Sequence, residues 1–133
     1  MLVSELGLDK YIQFPGFRND IARVLPNIDI VAHPAYTEGL GVTLLESGAC
    51  SIPIVAGAAG GIPEVVIDGK NGFLFTPGNA DELRERLETL LAATELRLEF
   101  AEEARRHVEN NFSVSAMAKG NLAVYHELLN TVQ

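Results

Sequence analysis

The apolar residues of this chain form short continuous runs in its first half and stripes of helical period in its second half. The runs lie at positions 28–32, 53–56 and 72–75 and are bounded mostly by glycine, proline or polar residues. Runs of this length and setting are typical of buried parallel strands. Before them, Ile21, Val24 and Leu25 share one face of a predicted helix over 20–25, which Pro26 ends. The pattern predicts an α/β fold.

From residue 76 onward the pattern becomes helical. Asn79 followed by Glu82 matches a capping box, which marks the start of a helix. Three apolar stripes follow, namely Leu83, Leu87, Leu90 and Leu91; Leu96, Phe100, Ala104 and Val108; and Val114, Ala118, Leu122, Tyr125 and Leu129. The last stripe belongs to a helix over 113–129 and is predicted to face the interior. We expect one domain, with a sheet in residues 1–75 and a helical tail in residues 76–133.

Composition and charge restrict the classes of partner. A length of 133 residues suits one domain, and 47% hydrophobic residues is too many for a disordered chain. With 18 acidic and 10 basic side chains the net charge is −8, so nucleic acids and anionic membranes are poor partners. The single cysteine, Cys50, cannot form an internal disulfide and is expected to pack as a small apolar side chain. Without a signal-peptide layout or an apolar stretch of about 20 residues, the chain is expected in the cytoplasm.

The segment from Glu38 to Glu46 carries the clearest chemistry. It follows a predicted strand and places Gly39 and Gly41 in a turn that opens a helix, where the backbone can approach a ligand closely. The free N–H groups and the dipole of a helix N-terminus attract anions, so a diphosphate fits there. Helical side chains lean toward their own N-terminus, which brings Glu46 back toward the same mouth.

The two carboxylates suit different partners. Glu46 suits the hydroxyls of a ribose, whereas Glu38 would repel phosphate oxygens and therefore suits a hydroxyl of a neutral sugar. Together they predict a site for a nucleotide-linked hexose. A plainer interpretation stays open on these residues alone, with Glu38 a solvated loop carboxylate and Glu46 an ordinary acidic residue near a helix start.

The residues that follow extend the motif. They read Ser47-Gly-Ala-Cys-Ser-Ile-Pro53-Ile-Val-Ala56, Gly57-Ala-Ala-Gly60-Gly61-Ile-Pro63-Glu64 and Asn71-Gly72-Phe-Leu-Phe75, with Ile12-Gln-Phe14-Pro-Gly16-Phe upstream. Together with the two glutamates, this run resembles the C-terminal domain of family-4 retaining glycosyltransferases of the two-domain GT-B architecture. The resemblance covers residues 2–75. It implies a Rossmann-like parallel sheet flanked by helices, here incomplete, with about four strands including one at 12–14.

The resemblance assigns roles to individual residues. Glu46 would hold the ribose hydroxyls, and Glu38 would hold a hydroxyl of the donor sugar as the candidate catalytic residue. Backbone N–H groups would cradle the diphosphate, those of Gly39, Leu40, Gly41 and Val42. Candidate contacts for the base or the phosphates are Gly16, Phe17 and Arg18, although a surface role is favoured for the arginine. The implied reaction is hexose transfer with retention from a nucleotide-diphosphate sugar, with no further cofactor and no metal.

Two positions depart from the family pattern. Ala35 stands where the family usually has serine, and Ser51 stands where a glycine commonly lies. Because glycine adopts the left-handed backbone conformation more readily than serine does, Ser51 argues against a left-handed turn at this position.

The resemblance also implies a larger unit. The family's C-terminal domain begins with two further strands and a basic pair aimed at the diphosphate, and an N-terminal domain binds the acceptor. We expect the strand at 12–14 to move beside 28–32 or to pair with another copy, which would give a homo-oligomer. Part of the last helical stripe would be exposed where the N-terminal domain is absent. The chain alone is expected to bind donor weakly and to catalyse little.

A second interpretation makes the chain a non-catalytic binding or structural module, which completes a partner chain or self-associates through an open sheet edge.

The three histidines do not distinguish between these two functions. His33 ends a predicted strand near the candidate site, and His107 and His126 are interpreted as helix-face residues without metal-ligand spacing. The segment Gly60-Gly61-Ile-Pro63-Glu64 is predicted either as a loop over the sugar or as a purely structural turn.

Overall fold

The computed structural model of the chain describes residues 1–131 and has an α/β architecture. Three parallel strands form one sheet in the order β1 (Val31–His33), β2 (Ile54–Gly57) and β3 (Gly72–Phe75). The helices are α1 (Leu2–Glu5), α2 (Ile21–Val24), a 3₁₀ helix (Leu25–Asn27), α3 (Val42–Ala49), α4 (Ile62–Val65), α5 (Ala80–Ala92), α6 (Thr94–Asn111) and α7 (Val114–Thr131). The predicted fold class is confirmed, and the last two residues of the predicted tail, 132 and 133, lie outside the described residues.

The central strand β2 is buried along its whole length because helices cover both faces of the sheet. Successive strand side chains point to opposite faces, so β2 contributes to two separate cores. Ile54 and Ala56 pack with Leu44 of α3 and with α4 on one face, and Val55 packs with α5 and α6 on the other. On that second face the rings of Phe73 and Phe100 meet edge to face, with centroids 5.0 Å apart.

The sheet places two loops side by side. In a parallel sheet the carboxyl ends of all strands lie at the same end of the sheet, and open α/β proteins bind ligands just beyond those ends. Here the loop from β1 to α3 spans residues 34–41, and the loop from β2 to α4 spans residues 58–61. Since β1 and β2 pair directly, with His33 opposite Ala56, these two loops are neighbours. They form the candidate site.

The predicted strand at 12–14 is wrong. These residues adopt no strand, and the side chains of Ile12 and Phe14 are 38% and 66% exposed. A strand needs a neighbour for its N–H and C=O groups, and within residues 1–131 β1 pairs only with β2. The sheet therefore has three strands rather than about four. No strand covers the outer edge of β1 in this part of the chain.

The opposite edge of the sheet is protected. On the outer side of β3 the Leu74 N–H donates to Asp68 Oδ1 at 2.8 Å, and the Gly69 N–H donates to the Gly72 carbonyl at 2.9 Å. A side chain and a turn thus take up groups that a further strand would need. The sheet is open to strand addition at β1 and blunted at β3.

The helical tail forms as predicted, but its apolar stripes differ in burial. The N-cap half of the predicted capping box is confirmed, since the Glu82 N–H donates to Asn79 Oδ1 at 3.1 Å. The reciprocal bond is not formed, because the Asn79 N–H donates to the Thr76 carbonyl and the Glu82 carboxylate accepts from the Asn79 side-chain amide and the Thr76 N–H. In α5 Leu90 is fully buried, whereas Leu91 is 66% exposed and does not belong to the core. The interior-facing stripe predicted for α7 is also wrong, because α7 makes its main contacts with α6 and its apolar residues stay exposed, as at Val114, Leu122, Tyr125 and Leu129. None of the helices in residues 1–131 has both the length and the apolar character to cross a membrane.

Ser51 adopts a left-handed backbone conformation, which the sequence argued against because this position is a serine and not a glycine. Its φ is 57°, and it directly follows Cys50, the last residue of the α3 cap. The Ser51 N–H donates to the Gly48 carbonyl at 2.9 Å, and the Ile52 N–H donates to the Ser47 carbonyl at 3.1 Å. These two bonds define a Schellman motif, in which the position of Ser51 is usually glycine. The carbonyl bonds at the end of α3 hold the serine in this conformation.

Candidate functional site

The turn into α3 presents unpaired backbone donors. Gly41 precedes the helix with φ 80° and ψ 62°, a conformation that glycine adopts without strain. Its carbonyl accepts the N–H groups of Leu44 and Leu45, which closes the first turn of α3. Within residues 1–131, no protein group accepts the preceding N–H groups, those of Leu40, Gly41, Val42 and Thr43. Together with the helix dipole, these donors favour an anion.

Glu38 lies inside this turn and is held at both carboxylate oxygens. Oε1 accepts the N–H of Gly39 at 3.0 Å, and Oε2 lies 3.1 Å from Nε2 of His33. The Glu38 and His33 side chains are 31% and 25% exposed, so neither is a freely solvated group. The Gly39 N–H, predicted to cradle phosphate, is thus occupied by the neighbouring carboxylate. The interpretation of Glu38 as a solvated loop residue does not fit these contacts.

Glycines of the β2–α4 loop lie directly against the backbone of the Glu38 turn. The Gly61 N–H donates to the Gly39 carbonyl at 2.8 Å. A Cβ on Gly60 would overlap the Glu38 carbonyl oxygen, and one on Gly61 would overlap that of Gly39. The sequence left the Gly60–Gly61 segment open as a loop over the sugar or a structural turn. In the structure it packs against the backbone of the candidate site and supports it.

Glu46 faces a different environment from Glu38. It lies in the second turn of α3 with an exposed side chain, and no group in residues 1–131 bonds its carboxylate. Beside it is a cavity of about 190 Å³ between α3 and α2 with mainly apolar walls, lined by Ile21, Ala22, Leu25, Glu46, Ala49 and Cys50. An apolar cavity with one carboxylate at its wall has the composition typical of a small-molecule site. Cys50 is half-buried in this wall, which is consistent with a small apolar side chain.

Gly16, Phe17 and Arg18 make no hydrogen bond or ion pair with the two glutamates in the described residues. Gly16 has a φ of 68°, and Phe17 is 97% exposed. The Arg18 guanidinium binds Asp20 through two bonds of 2.8 and 2.5 Å. This hydrogen bonding raises the pKa of Arg18 and lowers the pKa of Asp20. The only cation predicted near the donor is thus already paired.

His107 links two helices. Its Nε2 donates to the Glu64 carbonyl at 2.8 Å, and the Asn111 side-chain amide lies 3.1 Å from its Nδ1. Because a carbonyl only accepts, the proton is on Nε2, and Nδ1 accepts from Asn111. The contact ties α6 to the helix that follows the supporting glycine loop. Sequence analysis missed it, since no spacing relates residues 64 and 107.

Comparison with known proteins identifies the family. The model of the family described as Glycosyl transferases group 1 matches residues 1–107. This chain belongs to that family. The solved C-terminal domain of a glycosyl transferase group 1 family protein from Francisella tularensis is 29% identical to it, with a TM-score of 0.75 over 85% of this chain and 60% of that one. The resemblance stated from the motifs is therefore confirmed, and the chain corresponds to part of a GT-B glycosyltransferase of C-terminal type.

Curated members of the family are considerably longer. The D-inositol 3-phosphate glycosyltransferase of Corynebacterium jeikeium is 34% identical over 130 residues, which is 96% of this chain and 31% of that protein. The protein of the same name from Mycobacterium marinum is 39% identical over 92 residues, 68% of this chain and 20% of that protein. This chain thus spans less than a third of the length of these relatives.

A solved structure with a bound nucleotide is also similar. Anabaena HepE in complex with UDP is 32% identical, with a TM-score of 0.87 over 94% of this chain and 35% of that one. The same protein in complex with UDP-glucose is 33% identical, with a TM-score of 0.84 over the same shares. The fold that carries the α3 turn is therefore shared with a protein that holds a nucleotide sugar in its crystals.

Proposed function

We propose that this chain is the donor-binding part of a glycosyltransferase that transfers a hexose from a nucleotide-diphosphate sugar with retention of configuration. The observation that carries the proposal is the turn into α3. Its unpaired N–H groups lie between Glu38, which is hydrogen-bonded to His33, and Glu46, which lies at the wall of an apolar cavity. The UDP and UDP-glucose complexes of HepE make these two compounds the first probes to use.

In this proposal the diphosphate lies on the backbone N–H groups of Leu40, Gly41 and Val42, which no group in residues 1–131 accepts. The N–H of Gly39 joins them when Glu38 releases it. Glu46 holds the ribose hydroxyls at the wall of its apolar cavity. Gly16, Phe17 and Arg18 remain candidate contacts for the base or the phosphates.

Catalysis in this proposal is electrostatic. As the bond between the hexose and the diphosphate breaks, negative charge grows on the leaving phosphate. Oriented N–H donors and a helix dipole stabilise that charge without having to reorganise. Glu38, the candidate catalytic residue, accepts a hydrogen bond from a hydroxyl of the hexose and so positions the reacting carbon. We assign no metal and no further cofactor to this step.

The chain by itself is proposed to bind donor weakly and to be inactive. Its net charge of −8 opposes a polyanionic ligand, and Arg18 is already paired with Asp20. We assign the acceptor to an additional domain or a partner chain, since both carboxylates of the candidate site, Glu38 and Glu46, are assigned to the donor. A single unpaired cysteine suits a reducing compartment, and we propose the cytoplasm.

Titration with UDP, GDP and ADP, followed by amide NMR shifts, tests the proposal at the weak affinities expected. We expect saturable binding of one nucleotide, with the largest shifts at residues 39–43. Glu46→Ala should weaken that binding about tenfold, the worth of a hydrogen bond to a charged group. Glu88→Ala, which removes an exposed carboxylate from α5, is the matched control. Absence of binding by all three nucleotides, or equal affinity in Glu46→Ala, would contradict the proposal.

A second candidate function is a module that self-associates or completes a partner chain. The uncovered edge of β1 and the exposed apolar residues of α7 favour it. If β1 pairs with another copy, light scattering should report a dimer that Ala32→Lys weakens, because a charged edge strand resists pairing. Ala92→Lys adds the same charge at the exposed end of α5 and serves as the control. A monomer at all concentrations would exclude self-association through this edge.

A further inference from the structure

We propose that His33 is a positioning residue for the donor sugar, acting through its hydrogen bond to Glu38. The inference rests on the proposed function, since it assigns Glu38 to a hydroxyl of the hexose. His33 is the last residue of β1 and pairs in register with Ala56 of the buried strand β2. Its backbone is therefore fixed by the sheet, in contrast to Glu38, which lies in a loop.

The geometry assigns the direction of the bond. A carboxylate oxygen only accepts hydrogen bonds, so His33 Nε2, 3.1 Å from Glu38 Oε2, carries the hydrogen in either charge state of the ring. The side chains of His33 and Glu38 are only 25% and 31% exposed to solvent, which limits competition from water. The sheet thus supplies a fixed donor to a carboxylate whose own backbone is in a loop.

Donor binding makes this bond more important. In the structure Glu38 has two partners, the Gly39 N–H at Oε1 and His33 at Oε2. A diphosphate that takes the Gly39 N–H removes the first partner and frees Oε1. The bond to His33 is then the only hydrogen bond in residues 1–131 that keeps the carboxylate in place. With Oε2 held, Oε1 is left available for a sugar hydroxyl.

This arrangement predicts a specific dependence on the sugar. In the proposed function the nucleotide part of the donor binds the N–H groups of Leu40, Gly41 and Val42 and the carboxylate of Glu46. No hydrogen bond in residues 1–131 joins any of these groups to His33. Loss of the His33 bond should therefore reduce the added affinity that the sugar gives, measured as the ratio of the Kd for UDP to that for UDP-glucose. The affinity for UDP itself should remain within about twofold, because its contacts are unchanged.

The test measures the Kd of UDP and of UDP-glucose for the chain and three variants by NMR titration. His33→Leu removes the donor, and we expect its affinity for UDP-glucose to fall about tenfold, as for loss of a hydrogen bond to a charged group. His33→Gln places an amide N–H near the position of Nε2 and should restore binding to within about threefold. His126→Leu, on the exposed surface of α7, controls for loss of an imidazole.

A double variant shows whether His33 acts through Glu38. If it does, His33→Leu combined with Glu38→Gln should bind UDP-glucose no more weakly than Glu38→Gln alone. Additive losses would overturn the inference, as would unchanged UDP-glucose affinity in His33→Leu, equal loss of UDP affinity, or failure of His33→Gln to restore binding. These outcomes leave the proposed function standing. A parent chain that binds neither UDP nor UDP-glucose, nor GDP or ADP, would overturn the proposed function and this inference together.

Discussion

Gly60 and Glu38 are in contact through their backbones: a Cβ on Gly60 would overlap the carbonyl oxygen of Glu38. Gly60 also has a φ of 53°, in the left-handed region that disfavours other residues. The loop after β2 can therefore pack against the turn of the candidate site only if glycine occupies position 60. The position of a carboxylate predicted to bind a sugar thus depends on a residue 22 positions away in the chain.

This contact predicts a large effect of Gly60→Ala. The methyl group would meet fixed backbone and add left-handed strain, so we expect a loss of about 3 kcal/mol or more in the free energy of unfolding. Urea denaturation measures it. Gly69→Ala is the control, because Gly69 has a similar φ of 72° but an added Cβ would meet nothing within 4 Å. It should lose only about 1 kcal/mol. Equal losses in the two variants would contradict the packing argument.

The Schellman motif at the end of α3 predicts a stabilising substitution. Ser51 is the one non-glycine residue with positive φ in residues 1–131. Ser51→Gly removes left-handed strain and should raise the free energy of unfolding by about 1 kcal/mol, less the entropy that glycine gives the unfolded chain. Ser51→Ala keeps the strain and should give no such gain. The midpoints of urea denaturation of both variants decide the matter, and a destabilised glycine variant would refute it.

Glu82 predicts a pH dependence of stability. Its carboxylate accepts the Thr76 N–H at 2.7 Å, and this bond, with those from the Thr76 hydroxyl and the Asn79 amide, lowers its pKa. A carboxyl with a lowered pKa in the folded state stabilises the fold above its ordinary pKa. This stability is lost as pH falls through the lowered value.

Thermal unfolding between roughly pH 6 and pH 3 tests this expectation. The melting temperature of the parent chain should fall on acidification, and Glu82→Gln should show a smaller fall because it lacks the titrating group. Glu85→Gln, an exposed carboxyl on the same helix, should follow the parent curve. A Glu82→Gln curve parallel to that of the parent would show that this hydrogen bonding is not linked to stability.

The ion pair between Arg18 and Asp20 predicts a gain in nucleotide affinity. If Arg18 contacts the base or the phosphates, Asp20→Asn frees its guanidinium and should tighten UDP binding about two- to fivefold at low salt. Asp29→Asn removes the same charge from another exposed position and measures the general effect of net charge. If the two variants bind UDP equally, Arg18 has no role in the donor site.

Local pattern was sufficient where a structure depends on neighbouring residues. The run at 72–75 is β3 with the predicted bounds, and Asn79 with Glu82 forms the predicted cap. The run at 28–32 was less informative, because the strand begins only at Val31, where its N–H reaches the Pro53 carbonyl at 3.0 Å. Apolar residues show that a strand is buried, but the pairing partner sets its bounds.

The candidate site divides in the same way. The sequence by itself determined the α/β class, the glycine turn before α3 and the two glutamates, because periodicity, φ preference and charge are properties of short segments. Only the tertiary structure decided that residues 12–14 have no strand partner, that the α7 stripe is exposed and that Gly60 packs against the backbone of Glu38. It also decided which oxygen of Glu38 His33 holds. These relationships depend on the pairing of β1 with β2 and on which surfaces find a neighbour, and neither is encoded in the spacing of residues along the chain.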